Sequence, residues 1–196
     1  MSTKLGRTFA IENLPDASDW HSLASLAFFA YVGREHYRLS QLRLTIDTAH
    51  LPPLTTDPIH SGLDGSGLTR LKSRLSDAGL SLPSAFFDDI KIRLSQLPEM
   101  LPAGHTTADL QESPFGSTVT ALVLAGDRTS EIHLNDPITD GLPILEGHDQ
   151  RPLLRTVLDL AEAYGADIVL EPSGVDAREL ISYTNRFESM CSDTYH

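Results

Sequence analysis

Residues 151–164 carry the strongest helical pattern in the chain. Leu153, Leu154, Val157, Leu158 and Ala161 fall on one stripe, with polar residues opposite. Pro152 suits the first turn of such a helix and Gly165 its end. Ala166–Leu170 follows at once as a short buried strand. Ser173 with Asp176 makes a weaker form of capping box, and Leu180, Ile181, Tyr183 and Phe187 mark a last helix. Helix, strand and helix joined this tightly put the fold in the α/β class. The strand 166–170 is expected parallel to Ser130–Asn135, because a helical crossover joins parallel strands.

The remaining segments are less regular. Thr118–Ala125 is β-branched and apolar, Gly126-Asp127 reads as a turn, and Ser130–Asn135 alternates, so the three predict a hairpin. Residues 1–15 have no clean period and read as an extended arm ending at Leu14-Pro15. Asp16, Ser18 and Asp19 offer caps for a helix whose apolar stripe is Leu23, Leu26, Ala27, Ala30 and Tyr31. It breaks at Gly33 or runs on to about Leu44. Residues 47–67, with Pro52, Pro53, Pro58, Gly62, Gly65 and Gly67, read as a long loop. Leu68, Leu71 and Leu75 mark a second helix, and Phe87, Ile90, Leu94 and Leu97 a third. The expected organisation is an arm over 1–15 and one domain over 16–196, helical to residue 115 and α/β from 116. No internal repeat is evident.

Charge narrows the function. Twenty-seven acidic and fifteen basic side chains give a formal net charge of −12 over 196 residues. No basic surplus exists to neutralise phosphates, which argues against nucleic acid and against anionic membranes as partners. No apolar run reaches the ~18 residues of a membrane span. The first thirty residues lack a charged-then-apolar signal pattern, so the expected location is the cytoplasm, or the virion if the chain is phage-encoded. Cys191 is the single cysteine, which excludes an internal disulfide and zinc sites built from cysteine pairs. The eight histidines are scattered without helical ligand spacing and read as surface or loop residues, so no metal site is expected. Glu131 and His133 are of the right type for proton transfer and share a face opposite Ile132 and Leu134, either as a cleft-facing dyad or as two solvated residues.

The stretch LLRTVLDLAEAYGADIVLEPSGVDARELISYTNRF resembles the C-terminal half of the GCN5-related N-acetyltransferases, including the signature-like Tyr183-Thr184-Asn185-Arg186-Phe187. The resemblance, across residues 130–187, covers about a third of the chain and is closest to phage and bacterial members. The resemblance implies a mixed sheet with flanking helices, behind a helical N-terminal region. It also implies acetyl-CoA as cofactor, held by the loop Gly147, His148, Asp149, Gln150 and Arg151 at the start of the leucine-rich helix. Glu131 or His133 would serve as base and Tyr183 as acid. The motif's glycine positions fall on Glu146, His148 and Gln150, and its tyrosine on Thr184, one residue from Tyr183.

Two functions are compatible with these residues. In the first, a divergent acetyltransferase-fold protein has lost its chemistry and serves as a structural or interaction protein, for instance in a phage virion. In the second, it is an active acyl-CoA-dependent N-acetyltransferase on an unidentified amine. The polar, proline-broken segments 1–15 and 47–67 predict contacts with other chains, in a homo-oligomer or larger assembly.

Overall fold

The computed structural model describes residues 9–13, 22–36, 41–61, 63, 65–136, 151–171 and 174–192. Among these residues four strands form one sheet: β1 (Phe9–Glu12), β2 (Leu42–Asp47), β3 (Thr129–Leu134) and β4 (Asp167–Leu170). Their spatial order is their chain order, and all three pairings are parallel. The sheet is therefore not mixed across the described strands. The parallel pairing of β3 with β4 agrees with the strand–helix–strand pattern of the sequence.

Helix α1 (Leu23–Glu35) joins β1 to β2. Six helices lie between β2 and β3: α2 (Pro58–Ser61), α3 (Gly65–Asp77), α4 (Ser84–Leu94), α5 (Leu97–Met100), α6 (Asp109–Glu112) and α7 (Gly116–Ala125). Helix α8 (Arg151–Tyr164) precedes β4 and α9 (Ala177–Ser192) comes after it. Consecutive parallel strands with right-handed crossovers place their connecting helices on one face. In accord, α7 packs against both α1 and α8, while α3 packs against α1, and α4 and α6 against α7. Leu44, Ile46, Ile132 and Leu134 belong to the same buried cluster as the apolar residues of these helices.

Several features depart from the sequence reading; the loop expected over 47–67 contains α2 and the start of α3. Thr118–Ala125 is not a strand; it lies in α7, and all ten residues of that helix are buried. A helix covered on every side needs no polar face, so Thr118–Ala125, a β-branched and apolar run, shows no stripe that would distinguish it from a buried strand. The N-terminal part is not wholly helical, since it supplies β1 and β2. Residues 9–12, inside the expected arm, find backbone partners on β2. Helix α1 stops at Glu35 with His36 as its cap and does not run on to Leu44.

The ladder between β2 and β3 contains one irregularity. Leu44 lies opposite Thr129, but Thr45 lies opposite Glu131, so the register slips by one residue and passes over Ser130. The Ser130 hydroxyl donates to the Leu44 carbonyl, 3.3 Å away. Elsewhere, Tyr31 is buried, while Phe28 and Phe29 border an apolar groove of about 590 Å³ with Leu75 and Leu80. Among the described residues no helix is long and apolar enough to cross a membrane.

Candidate metal centre at the carboxyl edge of the sheet

In parallel α/β sheets, ligands collect where the strands end. Here each strand brings a polar side chain to that edge. Glu12 ends β1, Asp47 ends β2, His133 lies one residue from the end of β3, and Glu171 comes directly after β4. Asp47 lies opposite His133 in the ladder. Because a strand alternates its side chains, Ile46, Ile132 and Leu134 enter the helical core while Asp47, Glu131 and His133 take the other face.

Asp47 is 4% exposed and held on all sides. Its backbone N–H donates to Asn13 Oδ1 at 2.7 Å, and its carbonyl accepts from Asn13 Nδ2 at 2.9 Å. Its Oδ1 accepts from the Ala49 N–H at 2.9 Å and from Asn135 Nδ2 at 3.2 Å. Its Oδ2 pairs with His50 Nδ1 at 2.9 Å, and the same nitrogen lies 3.2 Å from the Asn13 carbonyl. Both neighbours of His50 Nδ1 are acceptors, so that nitrogen carries the proton. Thr48 locks β2 to β3: its hydroxyl donates to the Asn135 carbonyl at 2.7 Å and accepts from the Asn135 N–H at 2.8 Å.

The ligating atoms of Glu12, Asp47 and His133 lie within 4.8 Å of one another. His133 Nδ1 is 3.5 Å from Glu12 Oε1 and 2.6 Å from Glu171 Oε2, and its Nε2 is 3.7 Å from Glu131 Oε1. The Glu171 contact is off the line of the ring nitrogen, so Nδ1 is buried without a hydrogen bond. Asn135 Oδ1, beside Asp47, is likewise buried and without a partner. Orphaned buried polar atoms cost free energy, and several carboxylates in one place repel one another. One cation offsets both costs. Carboxylate oxygens with one imidazole suit Mn²⁺, Fe²⁺, Co²⁺ or Zn²⁺ better than the softest or hardest ions.

The structure brings Glu131 and His133 together, as their alternation implied. Tyr183 lies on α9, buried, with its ring stacked on Phe187 and Arg186 over its face. Gly147, His148, Asp149 and Gln150 lie outside the described residues. Arg151 is the first residue of α8. Glu12 and Asp47 escaped the sequence reading because one lay in the supposed arm and the other at the start of a supposed loop. Of the histidines read as surface or loop residues, His50 does lie in the turn after β2, whereas His133 lies on β3 among carboxylates. A signal was present: Ala10-Ile11-Glu12-Asn13, Thr45-Ile46-Asp47-Thr48, Leu134-Asn135-Asp136 and Val169-Leu170-Glu171 each end an apolar strand on an acid or amide. That is a repeat in pattern, which residue identity conceals.

Comparison of the chain with protein-family models, curated proteins and solved structures finds no match.

Proposed function

We propose that the chain binds one divalent transition-metal ion through Glu12, Asp47, His133 and Glu171, and uses it as a Lewis acid on a small oxygen-bearing substrate. The observation that carries this reading is the convergence of the Glu12, Asp47 and His133 donor atoms from three strands within 4.8 Å. A metal held there polarises a carbonyl or hydroxyl oxygen and lowers the pKa of a bound water. His50, 30% exposed in its side chain and fixed through Nδ1, offers its other ring nitrogen for proton transfer.

The test is Mn²⁺, Zn²⁺ or Co²⁺ titration of chelator-stripped protein, read by calorimetry and by melting temperature. One ion per chain is expected, with a Kd near 1 μM, equivalent to about −8 kcal/mol. At a hundredfold excess over Kd the fold gains about 2.7 kcal/mol, or a rise of roughly 5–10 °C. Glu12→Gln and His133→Ala should each remove most of that rise. A flat titration, or equal binding by His133→Ala, overturns the reading.

N-acetyl transfer from acetyl-CoA on an acetyltransferase-like fold is the second reading. It is favoured by the parallel β3–α8–β4 unit, in the stretch whose sequence suggested it. A melting shift with acetyl-CoA and none with metal would reverse the order of the two.

A further inference from the structure

We infer that Glu131 is a positioning residue: once metal displaces the proton from Nδ1 of His133, Glu131 closes from 3.7 Å onto the ring's Nε2–H. This role rests on the proposed metal site and adds a residue that its ligand set does not contain. A neutral imidazole has one N–H and one lone pair, and a metal takes the lone pair. The two nitrogens of His133 face different groups. Nδ1 looks toward Glu12 and Glu171, at 3.5 and 2.6 Å, and has no hydrogen bond in line. Nε2 looks toward Glu131, whose Oε1 is 3.7 Å away. Metal on Nδ1 therefore leaves the ring's one proton on Nε2, and Glu131 Oε1, at 3.7 Å and outside hydrogen-bond length, is the carboxylate placed to accept it after a small side-chain shift.

The sheet itself sets this pairing. Glu131 and His133 are two residues apart on β3 and share a face. Across the ladder Glu131 lies opposite Thr45 on one side and Asp167 on the other. Thr45 carries no charge and Asp167 carries the same charge, so neither strand neighbour neutralises Glu131, while the imidazole offers it a donor. A carboxylate on the far nitrogen fixes the ring's orientation and tautomer and raises its basicity as a ligand.

The experiment compares wild type, Glu131→Gln and Glu131→Ala after loading with Co²⁺. In wild type the paramagnetic proton spectrum in water should contain one exchangeable, strongly shifted imidazole N–H resonance. Glu131→Ala should lose it to solvent exchange and bind Co²⁺ some 10- to 100-fold more weakly. Glu131→Gln keeps the shape and an acceptor oxygen, so its affinity should fall between the two with the resonance retained. It also serves as the folded control should the alanine variant be unstable. Unchanged affinity with an unchanged resonance in both variants overturns the role of Glu131 and leaves the metal site standing. Failure of wild type to bind Co²⁺ overturns both.

Discussion

Asn13 sits one residue beyond the end of β1, and its side chain continues the ladder that the backbone has stopped making. One amide satisfies both the N–H and the carbonyl of Asp47, and all of these groups are buried. Asn13→Ala would orphan a buried donor and a buried acceptor, so it should cost about 1–3 kcal/mol by urea denaturation. It should also weaken metal binding by loosening Asp47. A variant as stable as wild type would show that water replaces the amide. At this scale the sequence was partly legible. Glu131 and His133 could be placed on one face because alternation over a short strand needs no partner. Glu12, Asp47 and Glu171 could not be joined to them, because their meeting depends on pairing between strands far apart in the chain.

Helix α7 shows what periodicity loses when an element is buried on every side. It starts where α6 crosses it: a Cβ on Gly116 would fall 1.8 Å from the Leu110 carbonyl oxygen, a contact no rotamer relieves. Gly116→Ala should therefore destabilise the fold by about 3 kcal/mol or more, read from the denaturation midpoint. A loss below about 1 kcal/mol would mean that the two helices separate easily. The other end of α7 is closed by Arg34, whose guanidinium donates to the Ala125 carbonyl at 3.1 Å and ion-pairs with Asp89 on α4 at 2.5 Å. A cation there complements the negative end of the helix. Helix α8, by contrast, kept a readable stripe because one side of it meets solvent, while α1 kept the helical spacing of its buried residues although Glu35 alone is exposed along it. Each carries a tyrosine whose phenol is pushed above its ordinary value, chiefly by burial: Tyr31 on α1 and Tyr164 on α8. The fold prefers these phenols neutral. Their contribution is complete below the ordinary tyrosine pKa near 10 and declines as pH rises toward and through the raised values. In an ultraviolet titration both should ionise after exposed tyrosines, with stability falling over the same range; early ionisation of all five tyrosines would refute it.

Across the whole molecule, a helical layer covers one face of the sheet, and the chemistry-bearing side chains take the other at its carboxyl edge. The α/β class and the β3–α8–β4 unit were legible because a strong helix joined at once to a strand leaves few alternatives. The other half of the sheet was not, since β1 and β2 are short, carry polar residues on one face and are flanked by proline-rich segments. What aligns the two halves is the residue passed over between Thr129 and Glu131. Before the slip, Thr129 faces with Leu44; after it, Glu131 and His133 face with Thr45 and Asp47. In the language of insertions and deletions, Ser130 is thus an accommodated insertion, and the interval from Glu131 to His133 is a fixed spacer. Excising Ser130 should remove the slip and leave every later side chain on its own face, at the cost of the Ser130 hydroxyl's bond to Leu44. Adding one residue between Glu131 and Ile132 would instead exchange the two faces of everything beyond it, turning Ile132 toward the acids and the imidazole into the apolar layer. A sequence that keeps every ligand but miscounts by one at this point should neither bind metal nor fold stably.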